Sequence, residues 1–343
     1  MTTHIRIAIA AALLTLSAST VSAQKTAKEI LETVKPSTPK VSGLFNGRYS
    51  YDSSDKSNGF DIRRLRLAVS GDLGRYVDYK AQVDYGGGSA SSAATVKLLD
   101  AYIRVKFAKE INLQVGEYKV AYSQETLDGP TSWLTIENPT VVSQLNGYSD
   151  ISGQKANSRD VGLRLYGGFV HKKGYDVIGY KVGVYNGNGI NLKDNDKYKD
   201  LEGFITVNPI KELTLSAGQY IGRYTASGGT ITRNRTSAGF TYKTKRLHLR
   251  SEYLAGTTGD AKQQGVYAIA AYSLPHGLQP VLSYGFYQKD KESAKDNQND
   301  YLVGVNWTAN KYLRLQLDYT FTKYTNSDLR NKSLVEAQLI ASV

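Results

Sequence analysis

From residue 41 to the last residue, apolar and polar side chains alternate with a period of two. Leu313, Leu315, Leu317, Tyr319 and Phe321 interleave with Arg314, Gln316, Asp318, Thr320 and Thr322. The same beat runs through Val77, Tyr79, Ala81 and Val83 against Asp78, Lys80, Gln82 and Asp84, and through Ile111, Leu113 and Val115 against Asn112, Gln114 and Gly116. Side chains two apart share one face of a strand, so each strand has one apolar and one polar face. The pattern predicts sixteen strands: 41–51, 60–71, 75–85, 96–107, 110–120, 159–171, 175–185, 200–208, 211–222, 236–244, 246–254, 264–273, 277–288, 299–308, 311–324 and 333–343.

The connections decide what these strands build. Alternate ones are tight, as at 72–74, 108–109, 172–174, 209–210, 245, 274–276 and 309–310. The others are long, polar and rich in Gly, Ser, Asn and Asp: 52–59, 86–95, 121–158, 186–199, 223–235, 255–263, 289–298 and 325–332. A β-sandwich has no reason to segregate loop lengths to two ends. The predicted fold is all-β, a transmembrane antiparallel β-barrel with short periplasmic turns and long extracellular loops. Hydrocarbon offers no partner for a strand edge, so the sheet must close.

Composition agrees. Hydrophobic residues make up 41% and mean hydropathy is −0.39, which excludes a helical membrane bundle. Tyrosine, at 26 residues, clusters near strand ends, where Tyr49, Tyr51, Tyr76, Tyr85, Tyr175, Tyr185, Tyr301, Trp307, Tyr312, Tyr319 and Tyr324 suit headgroup belts. The chain has no cysteine, which excludes disulfide scaffolds, thiolate metal sites and thiol nucleophiles.

Before the alternation, Arg6, the apolar run Ile7–Leu14 and the small residues Val21 and Ala23 describe a signal peptide at 1–23. Residues 24–40 form a periplasmic arm, in which Ala27, Ile30, Leu31 and Val34 keep helical spacing, Thr26 and Glu29 make a capping pair, and Pro36 ends the helix. Residues 41–343 are the barrel.

If aliphatic side chains face lipid, the intervening ones line the lumen. That face then carries Arg48, Arg64, Arg66, Lys80, Arg104, Arg164 and Arg250 together with Asp78, Asp84, Asp100, Glu202, Glu252, Asp318 and Glu336. The densest basic cluster is Arg63, Arg64 and Arg66, and guanidinium forks suit phosphate oxygens. The same arginines are equally able to pair with Asp78, Asp84 and Asp100 and stiffen the wall. The loop 121–158 holds Trp133, Leu134, Ile136, Val141, Val142 and Leu145, which folding into the barrel would bury. Packing on a second subunit is the other way to cover them.

Other motifs do not complete a site. Gly86-Gly87-Gly88 lacks the Lys-Ser/Thr and helix of a phosphate loop. Asp194, Asn195, Asp196 and Asp200 lack the central Gly and terminal Glu of a calcium loop. His248, Arg250 and Glu252 lack a supporting serine pattern for hydrolysis. The pI near 9.4 comes with dispersed charge and a signal peptide, which argues against a nucleic-acid partner.

Gly59-Phe60-Asp61-Ile62-Arg63-Arg64-Leu65-Arg66-Leu67 resembles an early strand of the phosphate-selective porin O and P family. Leu99-Asp100-Ala101-Tyr102, Leu113–Val120 leading to Ser123 and Glu125, Arg159-Asp160-Val161-Gly162 and Val184–Gly189 continue the likeness in order. The resemblance implies an outer-membrane homotrimer of sixteen-stranded pores that guide phosphate-like anions to a constriction, with no cofactor and no catalytic step. Arg63, Arg64, Arg66 and Lys119 carry over as anion-binding candidates. Lumen parity adds Lys80, Arg104 and Arg164, and the long loop adds Trp133 and Glu125 as constriction candidates. Ala121 stands where the family pattern has proline, which puts the constriction's shape in question. The expected function is passive diffusion of small hydrophilic solutes with an anion preference extending to phosphate or polyphosphate. The competing readings are a non-selective or other nutrient-specific porin and, outside transport, a secreted β-rich glycan-binding protein.

Overall fold

The computed structural model describes residues 37–86, 93–146, 150–154, 157–226, 228–293 and 297–343. The signal peptide, the arm helix between Thr26 and Lys35, and Gly87-Gly88 lie outside the described residues.

Sixteen strands form one closed antiparallel sheet: β1 (Lys40–Asp52), β2 (Ser57–Asp72), β3 (Val77–Gly86), β4 (Thr95–Lys106), β5 (Asn112–Lys119), β6 (Arg159–Lys172), β7 (Tyr175–Tyr185), β8 (Asp200–Ile210), β9 (Leu213–Ile221, resuming after Gly222 as Arg223–Ala226), β10 (Gly229–Lys243), β11 (Leu247–Thr258), β12 (Ala261–Tyr272), β13 (Leu278–Gln288), β14 (Asn297–Thr308), β15 (Leu313–Tyr324) and β16 (Lys332–Ser342). Each pairs with its chain neighbours, and β1 closes on β16 from Leu44 opposite Ser342 to Asp52 opposite Leu334. The end of the arm is fastened to the first short turn, where the Ser37 N–H donates to the Asp72 carbonyl at 2.8 Å.

Three connections expected to be long are hairpins instead, the first with Asp52 opposite Ser57. Thr258 and Ala261 pair across Gly259-Asp260, and β9 and β10 pair up to Ala226 opposite Gly229. Beyond the apolar band both faces of these strands are polar, so the ladder continues after the alternation has faded.

Leu65, Leu67 and Val69 are exposed outward while Arg64, Arg66 and Ala68 are buried inward. An aliphatic outer wall is what hydrocarbon contact requires. Among the described residues no helix is long and apolar enough to cross a membrane; the strands do so.

Register shifts break the parity at three places, one of them between Val207 and Ile210 on β8 and the other two on the wall of β1 to β4. Asn46 sits opposite Arg64 and Gly47 opposite Ile62, leaving Arg63 unopposed on β2. An extra residue on one strand re-aims its side chain, so Arg63 and Arg64 both turn into the barrel. Likewise Gln82 faces Asp100 and Val83 faces Leu98, leaving Leu99, which is fully buried. At Gly116 the backbone has φ +129°, and a Cβ there would lie 2.1 Å from the Ala101 carbonyl, so only glycine fits. Tyr185, expected in the outer belt, points inward and donates its hydroxyl to Glu202 at 2.7 Å.

Candidate functional site

The loop between β5 and β6 folds into the lumen. Its base is closed by the Val120 N–H donating to the Ser158 carbonyl at 2.9 Å. It holds two short helices, α1 (Gln124–Leu127) and α2 (Thr140–Leu145). The inner wall accepts the loop's donors one after another. Ala121 N–H goes to Glu202 at 2.7 Å, Ile136 N–H to Asp318 at 2.7 Å and the Thr140 hydroxyl to Asp300 at 2.7 Å. One carboxylate on β11, Glu252, takes the Ser123 hydroxyl (2.9 Å), the Gln124 N–H (2.7 Å), the Glu125 N–H (3.1 Å) and the Tyr267 hydroxyl (2.6 Å).

The apolar side of the loop is buried too. Leu134, Val141, Val142 and Leu145 pack with Leu254, Tyr267, Ile269, Ala271, Val281 and Tyr287 from the inner faces of β11, β12 and β13. At Gly265 a Cβ would come within 2.7 Å of Val141, so the missing side chain lets α2 press against the wall. β12 is therefore apolar on both faces, one toward lipid and one beneath the loop. Its string Val266-Tyr267-Ala268-Ile269-Ala270-Ala271 carries that signal, since a strand lining open water would alternate.

The returning end of the loop is clamped by Asp150, whose carboxylate accepts Arg233 Nε at 3.0 Å and Arg235 Nη2 at 2.7 Å. Burial opposes ionisation of Asp150, yet the two guanidiniums, with Ser152, hold it below its ordinary value of 3.8. A depressed folded pKa adds stability that is present above the unfolded value and lost as pH falls through the folded one. Asp150→Asn should therefore lower thermal stability at about pH 6, by about 3 kcal/mol for a buried ion pair broken on one side. Followed by near-UV circular dichroism, the gap to the parent should close below pH 3.8.

Five of the basic candidates fall on one wall. Arg104, Lys80, Arg66, Arg64 and Arg63 climb β4, β3 and β2 from the short-turn mouth to the level of the loop. Three of these bases meet a carboxylate of the wall: Arg104 with Asp78 at 2.6 Å, Lys80 with Asp100 at 2.8 Å and Arg66 with Asp84 at 3.2 Å. Arg63 makes a two-pronged contact with Glu137 of the loop, both prongs at 2.9 Å. Trp133, buried, lies over the Arg64 guanidinium with 4.9 Å to the ring centroid. The side chains of Arg63, Lys80 and Arg104 remain 29%, 29% and 38% exposed, so their carboxylate partners do not seal them off completely.

Three candidates lie elsewhere. Arg164 is sealed in a tyrosine-lined cluster, donating to Glu202 at 2.9 and 2.7 Å with its guanidinium 4.7 Å from the Tyr118 ring centre. Lys119 donates to the Asp128 carbonyl. Glu125 is buried and bound to Arg250 at 2.6 Å, an anchor of the loop rather than a group at the opening. Burial raises its carboxyl pKa against the pull of Arg250.

Sequence reasoning missed Glu137 as a partner of the basic cluster. It accepts Arg48 Nη1 at 2.7 Å as well as Arg63, and Arg48 also meets Asp61 at 2.6 Å and Glu336 at 2.8 Å. Burial alone would raise the Glu137 carboxyl, but Arg63, Arg64 and Arg48 hold it below its ordinary range. Above this knot, on the long-loop side, a polar recess of about 440 Å³ is lined by Glu137, Thr140, Gln144, Asp300, Lys332 and Glu336 among others. The calcium-like run splits up: Asp196 accepts the Thr225 hydroxyl while Asp200 accepts the Arg223 N–H.

The family model for phosphate-selective porin O and P matches residues 43–342. The chain belongs to this family. Comparison with curated protein sequences finds no match. The fold is similar to solved porins. The anion-selective porin from Comamonas acidovorans superposes with a TM-score of 0.66 at 14% identity, covering 90% of this chain and 100% of that one. The outer-membrane channel DcaP of Acinetobacter baumannii gives 0.65 at 15% identity, covering 89% and 97%. Salmonella typhi OmpF, in complex with daunomycin, gives 0.63 at 14% identity, covering 89% and 97%. This porin thus resides in the outer membrane, its strands spanning lipid and its loop narrowing the bore.

Proposed function

We propose that the porin passes small hydrophilic solutes by diffusion with a preference for anions, inorganic phosphate and polyphosphate among them, and that it works as a homotrimer. The observation that carries this reading is the column formed by Arg104, Lys80 and Arg63, whose side chains stay partly exposed although each is held by a carboxylate. A paired guanidinium keeps N–H donors for a passing oxyanion, while its partner prevents tight capture. Weak binding repeated at several levels lets an ion enter and leave. The similar fold of an anion-selective porin from Comamonas acidovorans supports the preference, and the trimer form recorded for OmpT of Vibrio cholerae supports the assembly. Asp300, Glu336 and Glu137 around the recess favour a second reading, a pore of low selectivity.

Titrating inorganic phosphate into a chloride-conducting bilayer separates the two. Phosphate should reduce chloride current in the parent protein and do so less in Arg63→Ala/Arg104→Ala. Chloride current indifferent to phosphate in the parent would remove phosphate from the solutes.

A further inference from the structure

The two rims of the barrel carry charge differently. Of the seven short turns, six present an exposed cation: Arg75, Lys109, Lys173, Lys211, Arg246 and Lys311. The carboxylates within those turns are Glu110 and Glu212, and His171 already meets Glu110 at 2.7 Å. The long-loop rim instead mixes signs and pairs them: Asp52 with Lys332 at 3.5 Å, Lys262 with Glu292 at 2.9 Å, and Asp194 with Lys199. In the lumen, too, the bases of the column are matched to acids. Among the described residues, no ion pair engages any of the six short-turn cations.

Their surroundings are apolar. Phe107, Leu274, Trp307 and Tyr312 are exposed at the same level, continuous with the lipid-facing band. The Arg75 guanidinium sits 5.4 Å from the Tyr76 ring centre and Lys311 Nζ sits 4.6 Å from that of Tyr312. Cations laid on aromatic rings at the end of a membrane span are suited to the headgroup layer. Short turns face the periplasm, so this rim meets the inner leaflet of the outer membrane.

We propose that the short-turn rim is a collar for anionic phospholipids, whose headgroup phosphates meet the turn cations while their acyl chains lie along the apolar wall. Neighbouring short turns are two strands apart, about 10 Å. Cations on different turns at that spacing cannot converge on a single small anion, and only Lys245 and Arg246 share a turn. The arrangement matches a ring of separate headgroups, each attracted over no more than a Debye length.

The chain's two tryptophans make this measurable, because Trp307 is exposed on the outer wall next to the Lys311 turn while Trp133 is buried in the lumen. The full-length Trp133→Phe protein would be reconstituted in vesicles mixing phosphatidylcholine and phosphatidylglycerol, with bromine on the acyl chains of one lipid or the other. Brominated phosphatidylglycerol should quench Trp307 about threefold to fivefold more effectively per mole fraction, a preference of the size one basic side chain gives near an anionic surface. The preference should fall in high salt and in Arg246→Gln/Lys311→Gln. Unheated detergent gels confirm that each sample is folded before it is compared. Equal quenching by the two lipids would overturn the proposal, as would a preference that survives the double substitution. Loss of the preference to inorganic phosphate at constant ionic strength would assign the cations to free anions and equally overturn it.

Discussion

Glu252→Ala should give a channel of higher single-channel conductance and a less stable barrel. That carboxylate gathers the Ser123 hydroxyl, two backbone N–H groups at the start of α1 and the Tyr267 hydroxyl. Removing it leaves several buried donors without an acceptor, at about 1–3 kcal/mol for each that water does not reach. Losing these bonds leaves the α1 segment held to β11 by Arg250, through Glu125 at 2.6 Å and Asp128 at 2.7 Å, so the segment fluctuates about that anchor and obstructs the bore less completely. Conductance therefore rises on average and open-channel noise grows with it. Planar-bilayer recording checks the conductance, and the temperature at which the folded band converts on detergent gels checks stability. A variant with unchanged conductance and unchanged conversion would mean that Glu252 does not position the loop. Glu252→Gln should fall between, because the amide oxygen still accepts while its NH2 confronts the loop donors.

The second large effect is one of opposite signs. Glu137 neutralises Arg63 and Arg48 at 2.9 and 2.7 Å. Glu137→Gln should strengthen chloride over potassium permeation, and Arg63→Ala should weaken it. A unit charge about 5 Å from a permeating ion is worth about 3 kcal/mol at an effective dielectric of 20. A fifth of that, after screening, changes a permeability ratio about threefold. Reversal potentials of the two variants in the same salt gradient provide the check. Shifts in the same direction would take the Arg63–Glu137 pair out of the permeation path.

The strands were legible because lipid imposes a stricter pattern than water does. Leu313 to Phe321 alternate for the whole width of the apolar band, and β15 ends where the alternation ends. Legibility failed where a second surface covers the first. β12 reads as uniformly apolar because its inner face seats α2, and periodicity cannot tell one buried side from two. The inward turn of Arg63 depends on the bulge opposite Gly47 of β1, a matter of register between strands that neither strand states alone. The acidic partners on the wall were readable from parity, so Asp78, Asp84 and Asp100 were available as partners before their pairing was seen. Glu137 was not, because the path of a long loop is set by tertiary contacts. Tyr185 shows the same limit from another side: its position near a strand end suits a headgroup belt, but its parity places it against Glu202.

The most direct test is the reversal potential of the purified full-length protein in a planar bilayer under a potassium chloride gradient. The partly exposed cations of Arg63, Lys80 and Arg104 predict a potential of the sign that marks chloride as the more permeant ion. A potential of the opposite sign, or none, would contradict the anion preference and leave the pairing of that wall as a structural device.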